Sequence, residues 1–163
     1  MERASASLLL PDLDATRAFG ARLAASLGPG SVVLLEGDLG AGKSELARAV
    51  VQSLAGAAIH VPSPTFTLMQ SYALPGLELT HSDLYRLADA DEARELGIEE
   101  CWQRGALLVE WPDRAAELWP SERLVVALEP VAGAGPDARL ARLEGTGRWA
   151  PLLATLVGRP RSG

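Results

Sequence analysis

The sequence predicts an α/β fold in which strands and helices alternate around a phosphate-binding loop. Residues 31–36 form a short apolar run with the length and composition of a buried strand. Residues 37–44 follow directly, and their sequence GDLGAGKS matches the pattern G-x-x-x-x-G-K-[ST]. Residues 45–54 then have the pattern of a helix. A strand, a glycine loop and a helix in this order are the context that the motif requires.

The residues of this loop suit the chemistry of a bound phosphate. Glycines at 37, 40 and 42 let the backbone approach a phosphate closely, and the amides and the helix N-terminus attract negative charge. Lys43, the only lysine of the chain, is expected to reach the β- and γ-phosphates. The Ser44 hydroxyl is expected to bind Mg²⁺. The alternative is a glycine-rich turn with a chance Lys-Ser pair, which the flanking strand and helix disfavour.

Length and composition indicate a single domain at residues 1–158, with residues 159–163 as a frayed tail. No apolar run approaches the roughly 20 residues of a membrane span, and the N-terminal apolar stretch is too short for a signal peptide. The only cysteine, Cys101, excludes an internal disulfide. Together these features predict a cytoplasmic protein without a membrane partner.

The charge balance bears on possible partners. The formal net charge is −6 and the isoelectric point about 4.9, whereas direct binding of nucleic acid needs clustered Lys and Arg. If RNA is involved, we therefore expect another protein to hold most of it.

The elements before the loop are a strand and a helix. Residues 7–10 predict a first strand. A helix capped by Asp12 or Asp14 follows, with apolar residues at helical spacing, and the glycines and proline of residues 28–30 end it.

The segment after the loop and its helix predicts a hairpin. Residues 57–61 are expected to form a short strand or an extended approach, and two prolines within residues 62–67 exclude a helix there. Residues 66–74 and 77–83 then predict two strands around a turn at Pro75-Gly76.

The remainder again alternates between helix and strand. Asp89 is expected to cap the start of one helix and Gly97 to end it, and Pro112 occupies the first position of another. The predicted helices are 89–96, 98–103, 112–119 and 149–157. The predicted strands are 105–111, 123–129 and 138–144, the last two around a flexible loop at 132–137.

One acid stands out among the strand ends. Glu110 ends the apolar run at residues 106–109, and the carboxyl ends of parallel strands face the nucleotide in sheets of this class. A phosphate loop needs a second acid to bind Mg²⁺ or to orient water, and Glu110 is the best candidate. The alternative is an ordinary acid at a strand end.

Five motifs come in a fixed order along the chain: GDLGAGKS at 37–44, SPTFT at 63–67, HSDLYRL at 81–87, ELG at 95–97 and EWP at 110–112. From about residue 8 to 130 the chain resembles the TsaE (YjeE) family, small ATPases of bacterial tRNA threonylcarbamoyladenosine synthesis. The resemblance implies a P-loop three-layer sandwich with a mixed, mainly parallel sheet flanked by helices. It also implies ATP hydrolysis with Mg²⁺ and assembly with the TsaB–TsaD pair, with tRNA contacted only through these partners.

The resemblance also implies roles for individual residues. Thr16 matches, weakly, a family threonine near the nucleotide base. The nucleotide-binding residues implied are Thr16, Asp38, Gly40, Ala41, Gly42, Lys43, Ser44 and Glu45.

The implied catalytic residues are Lys43, Glu110, Asp83 and Thr65, and the implied Mg²⁺ positions are Ser44, Glu110 and Asp83. Asp83 matches an acid close to the metal and the γ-phosphate, and Thr65 lies in a segment that resembles a switch loop. Ordinary explanations stay open for both, because Asp83 suits a turn after a strand and Thr65 suits the capping of turn amides.

The chain departs from the family at two places. Ser44-Glu45 stands where the family often has Thr-Thr, so the hydroxyl is kept while a negative charge enters the first helical turn. Ser82 replaces the usual phenylalanine beside Asp83, which puts the orientation of Asp83 in question. His81 and Trp111 are expected to have structural roles.

Two other functions remain open at this point. A small-molecule kinase would also use a phosphate loop, but it would need an acceptor pocket and usually a basic lid. A non-catalytic module that changes shape with bound nucleotide would not need Glu110 and Asp83. A GTPase is disfavoured because the guanine-reading motif N-K-x-D is missing.

Overall fold

The computed structural model describes residues 1–65 and 67–158, and these residues build one seven-stranded sheet with helices on both faces. The strands are β1 (Arg3–Leu10), β2 (Val32–Glu36), β3 (Met69–Leu74), β4 (Leu77–Asp83), β5 (Ala106–Glu110), β6 (Leu124–Pro130) and β7 (Arg139–Thr146). The helices are α1 (Leu13–Ala25), α2 (Lys43–Ala55), α3 (Ala90–Glu95), α4 (Ile98–Arg104) and α5 (Leu153–Leu156). Two 3₁₀ helices span Pro112–Leu118 and Gly147–Leu152.

The strands lie in the order β1-β7-β6-β2-β5-β4-β3. The neighbours β6, β2, β5 and β4 are parallel to one another. Antiparallel pairs join β6 to β7, β7 to β1 and β4 to β3, because β3–β4 and β6–β7 are consecutive strands with short connections. Five of the seven strands of the described chain therefore run in one direction, and the predicted mixed, mainly parallel α/β sheet is confirmed.

The sheet separates two apolar layers. In β2, Val33 and Leu35 pack with the helices α1 and α2, while Val32 and Leu34 pack with α3, α4 and the first 3₁₀ helix. Because both faces of the central strands are covered, these strands read as continuous apolar runs rather than as alternating ones. The arrangement is the predicted three-layer sandwich.

Of the two possibilities for residues 57–61, a short strand or an approach to the following prolines, the strand does not form, and the Ile59 carbonyl accepts a hydrogen bond from Gln52 of α2 at 3.0 Å. Three other element predictions need correction. Strand β1 begins at Arg3 rather than at residue 7, since it pairs with β7 along its whole length. The helix after Pro112 is a 3₁₀ helix broken at Ala115, where φ is −142°. The last helix begins as the 3₁₀ helix Gly147–Leu152, which contains Pro151, and continues as α5.

Two further predictions lie partly or wholly outside the described residues: the start of the strand at residue 66 and the tail at 159–163. Within the described ranges, no helix combines the length and the apolar character needed to cross a bilayer.

The topology brings three chain segments to one edge of the sheet. Leu35 of β2 lies opposite Glu110 of β5, and Glu110 lies opposite Asp83 of β4. Because these strands are parallel, their carboxyl ends meet at the same edge. The glycine loop that follows β2 therefore lies beside both acids.

Candidate functional site

The loop between β2 and α2 depends on its glycines. Gly37 has a φ of +144° and Gly42 a φ of +102°, both in a backbone region that residues other than glycine avoid. A Cβ on Gly37 would lie 2.6 Å from the Leu128 carbonyl oxygen of β6. The loop is thus pressed against the sheet, and Gly42 begins α2 without a side chain in front of the helix N-terminus.

Lys43 lies at the mouth of this loop and is only 5% exposed. Its ammonium donates hydrogen bonds to the carbonyls of Gly37 and Asp38, the latter at 3.1 Å. The ammonium also lies 4.1 Å from the centre of the Trp111 ring, within cation–π distance. Burial lowers the pKa of Lys43, while the carboxylates of Glu110 and other nearby acids oppose this effect.

Ser44 and Glu110 are in direct contact. The Ser44 hydroxyl donates to Glu110 Oε1 at 3.0 Å and lies 3.3 Å from Oε2. His81 Nε2 contacts Glu110 Oε2 at 2.7 Å. Glu110 is 2% exposed and His81 is 1% exposed. The buried Glu110 carboxylate of β5 therefore links Ser44, just after the glycine loop, to His81 of β4.

Asp83 uses both of its carboxylate oxygens. Oδ1 accepts from the amide of Tyr85 at 3.0 Å, which is the turn role left open by the sequence. Oδ2 accepts from the Thr65 hydroxyl at 3.1 Å, and Thr65 also contacts Ser63 at 2.8 Å. Asp83 therefore both shapes the turn after β4 and ties the segment that resembles a switch loop to the cleft.

Ser82, the residue that departs from the family pattern, has a defined contact. Its hydroxyl donates to the Leu68 carbonyl at 2.8 Å, and the Asp83 amide donates to the same oxygen at 3.0 Å. Leu68 has a φ of +66°, so its carbonyl is held in a turned conformation. The two bonds therefore fix residues 82 and 83 at the end of β4, next to the cleft.

A cleft of about 270 Å³ unites the predicted residues. Its lining includes the predicted residues Thr16, Gly40, Ala41, Gly42, Lys43, Ser44, Glu45, Thr65, Asp83 and Glu110. Asp38 is not part of the lining: its side chain is exposed, and only its carbonyl meets Lys43. Glu45 pairs with Arg48 at 2.6 Å, which partly neutralises the charge that the sequence places near the phosphates.

Arg139 also lines the cleft, although no sequence motif predicts it there. It lies at the start of β7, and its guanidinium donates to Ala41 O at 2.8 Å and to Gly40 O at 3.0 Å. It also donates to the carbonyls of Pro136 and Ala138 in the preceding connection. No motif surrounds Arg139, so only the fold reveals that it supports the glycine loop.

Trp111 and His81 were expected to be structural, yet both touch site residues. Trp111 has a left-handed backbone with a φ of +57°, and its ring packs on Tyr85 at 4.9 Å as well as on Lys43. Trp111 directly follows Glu110, and His81 lies two residues before Asp83; this closeness in sequence was the signal that could have indicated these contacts.

Comparisons with known proteins show which family the chain is similar to. The family model described as threonylcarbamoyl adenosine biosynthesis protein TsaE matches residues 10–135. A tRNA threonylcarbamoyladenosine biosynthesis protein TsaE of Rickettsia bellii is 36% identical over 129 residues, covering 79% of this chain and 90% of the relative. The TsaE of Bacillus subtilis is 37% identical over 145 residues, covering 88% of each chain, and that of Synechocystis is 41% identical over 127 residues, covering 75% and 79%.

The fold is also found among solved structures. The crystal structure of YdiB from Bacillus subtilis superposes with a TM-score of 0.77, at 28% identity and with 96% of each chain covered. The family match covers most of the chain, and relatives above 30% identity span more than two thirds of it. The chain therefore belongs to the TsaE family of threonylcarbamoyl adenosine biosynthesis proteins.

Proposed function

We propose that the protein is a Mg²⁺-dependent ATPase of the bacterial machinery for threonylcarbamoyladenosine modification of tRNA, and that it acts on the TsaB–TsaD pair. The role in tRNA modification follows from membership of the family. The proposal of ATP hydrolysis depends above all on one observation, the contact between Ser44 and buried Glu110 at the mouth of the glycine loop. A loop that only bound phosphate would not need a buried acid at this place.

The residues at this point fit Mg²⁺. Ser44 and Glu110 offer a hydroxyl and a carboxylate, the oxygen ligands that Mg²⁺ prefers, and Asp83 lies on the neighbouring strand. Within the described chain, no group of three or more His, Cys, Asp or Glu side chains is arranged to hold a metal. Mg²⁺ at nucleotide sites usually completes its shell with phosphate oxygens and water, so a pair of protein ligands suffices. Such an ion neutralises charge on the phosphoryl group that is transferred.

The residues of the chain then have distinct tasks. The loop amides and Lys43 hold the phosphates, and Glu110 orients the attacking water. Phosphoryl transfer of this kind depends mostly on positioning and on charge stabilisation. A partner surface would order Thr65 against Asp83, since the contact between these two residues joins residues 63–65 to the cleft.

A slow basal rate and a partner-stimulated rate follow from this assignment. The cleft offers Lys43 and the loop amides to the phosphates, while the Arg139 guanidinium is occupied by backbone carbonyls. Among the described residues that line the cleft, Arg139 is the only arginine, so we expect a further transition-state donor from the partner. The acidic chain is a poor direct ligand for RNA, so tRNA is reached through the TsaB–TsaD pair.

The test is release of phosphate from ATP, measured over multiple turnovers with and without the TsaB–TsaD pair. We expect slow release alone, faster release with the pair, and loss of both in Lys43→Ala. Arg104→Ala is the matched control, because Arg104 ends α4 just before β5 begins, away from Glu110 at the other end of that strand, and its guanidinium forms an exposed pair with Glu78 at 3.8 Å.

Two results would contradict the proposal. Unchanged hydrolysis on adding the pair would exclude partner gating. Absence of multiple turnover under all conditions would leave a nucleotide-gated binding module, and phosphate transfer to an added small acceptor would identify a kinase instead.

A further inference from the structure

We propose that His81 is a positioning residue that holds the Glu110 carboxylate in the orientation needed at the metal and water site. The inference rests on the proposed function, since it assigns to His81 a role in that same site. His81 Nε2 lies 2.7 Å from Glu110 Oε2, the shortest of the contacts that this carboxylate makes with Ser44 and His81.

The two ends of the carboxylate have different partners. Oε1 is nearest to the Ser44 hydroxyl at 3.0 Å, and Oε2 is bound by the imidazole. The terminal torsion of a glutamate is broad, so this group would otherwise rotate among many angles. A hydrogen bond to one oxygen restricts that rotation and leaves Oε1 directed towards Ser44.

The surroundings of His81 indicate that the role of its imidazole is to bind the Glu110 carboxylate. The side chain is 1% exposed, and its Nδ1 is buried and lacks a hydrogen-bond partner among the described residues. A carboxylate accepts hydrogen bonds, so the contact requires the proton on Nε2. An apolar residue would avoid the cost of burying the unpaired Nδ1, which makes simple packing a poor explanation.

The position of His81 in the sheet also suits this role. His81 lies on β4 opposite Leu108 of β5, two residues before Glu110. The hydrogen bond therefore runs between neighbouring strands whose register is fixed by the sheet. Mutation of a group that hydrogen-bonds to a metal-binding side chain, without binding the metal itself, commonly lowers metal affinity or activity by about 10- to 100-fold.

The experiment compares His81→Gln with His81→Leu. The glutamine amide can donate a hydrogen bond from a position close to that of Nε2, whereas leucine fills the space without a donor. His81→Met is a second apolar variant in case leucine prevents folding, because methionine adapts to irregular space. All variants are first compared by thermal unfolding.

Two readouts are then measured. The first is the Mg²⁺ dependence of binding to a non-hydrolysable ATP analogue. Affinity is measured in EDTA and then at rising Mg²⁺, and the Mg²⁺ concentration that gives half of the total increase in affinity is compared between variants. The second is the separate effect on kcat and on KM for ATP. We expect the apolar variants to need about 10- to 100-fold more Mg²⁺ and to lose kcat with little change in KM. His81→Gln should recover most of both.

A double-mutant cycle shows whether His81 acts through Glu110. In a Glu110→Ala background, His81→Leu should cause no further change in the Mg²⁺ dependence, because the group it orients is gone. An additive loss would overturn the inference.

The outcomes separate this inference from the proposed function. If the wild type hydrolyses ATP and the apolar variants keep its Mg²⁺ dependence and kcat, His81 is not a positioning residue and the proposed function stands. Equal losses in His81→Gln and His81→Leu would also refute it, because a packing role would explain them. If the wild type does not hydrolyse ATP, the proposed function fails, and the Mg²⁺ titrations of analogue binding decide on His81 independently.

Discussion

Arg139 connects the last hairpin of the sheet to the glycine loop, and its removal should weaken nucleotide binding. Its guanidinium donates to the carbonyls of Gly40 and Ala41. In a trans peptide the N–H points away from the C=O, so these two bonds turn the next amides to the side opposite Arg139. The Ala41 amide accordingly donates to the Asp38 carbonyl within the loop, at 3.0 Å. Arg139 thus stabilises the turned conformation of the loop, on which nucleotide binding would depend.

The size of the effect can be worked from these bonds. A protein hydrogen bond contributes about 0.5–1.5 kcal/mol net, so losing both costs about 1–3 kcal/mol. If the loop conformation that binds nucleotide is destabilised by this whole amount, the Kd for nucleotide rises by about 5- to 150-fold. The bond to Gly40 is exposed to solvent and the bond to Ala41 only partly buried, which favours the lower end, about 5- to 20-fold.

The assay is calorimetric titration with Mg·ADP of the wild type, Arg139→Ala and Arg139→Lys. Lysine keeps the charge but lacks the fork of donors, so we expect it to bind almost as weakly as alanine. Arg142→Ala is the control, because Arg142 lies on the same strand in an exposed pair with Glu129 at 2.9 Å. Unchanged affinity in Arg139→Ala would refute the reasoning. Full recovery in Arg139→Lys would also refute it, because charge near the phosphates would then be the explanation.

The remaining predictions concern the acid, the loop, the switch segment and the metal. Glu110→Ala should still bind ATP but lose hydrolysis, and normal turnover in a phosphate-release assay would remove Glu110 from the mechanism. Gly37→Ala should be destabilised by about 1–3 kcal/mol in denaturant unfolding, because of its positive φ and the 2.6 Å approach to Leu128 O; an unchanged midpoint would contradict this. Thr65→Val should keep ATP affinity but lose stimulation by TsaB–TsaD, and undiminished stimulation would exclude a switch role for Thr65. EDTA should stop hydrolysis while Lys43-dependent nucleotide binding persists in weaker form, and continued hydrolysis would exclude the metal.

Much of the fold could be predicted because its signals are local. Asp89 was predicted to cap a helix, and its carboxylate accepts from the Glu92 amide at 3.1 Å. Two residues were possible caps for the first helix, and the structure selects Asp12, which accepts from the Ala15 amide at 2.8 Å. The turn at Pro75-Gly76 joins β3 and β4 as expected. Caps and turns depend on neighbours within a few residues, so the sequence reports them directly.

The element predictions failed where distant contacts decide. A strand was one possibility for residues 57–61, but none forms there, and Gln52 of α2 binds the backbone of this segment instead. The start of β1 was missed because pairing with β7, more than a hundred residues away, extends a stretch with weak local strand character.

By itself, the sequence determined the phosphate loop and the resemblance to the family, because short motifs of neighbouring residues carry both. It could not determine which side chains meet across the sheet. His81 and Glu110 are 29 residues apart, and Arg139 and Ala41 are 98 apart. Their contacts arise from strand register and from the return of β7 beside β6, which place hydrogen-bonding groups within reach only once the sheet has formed. The tertiary structure alone therefore decided how the acid is oriented and how the loop is supported.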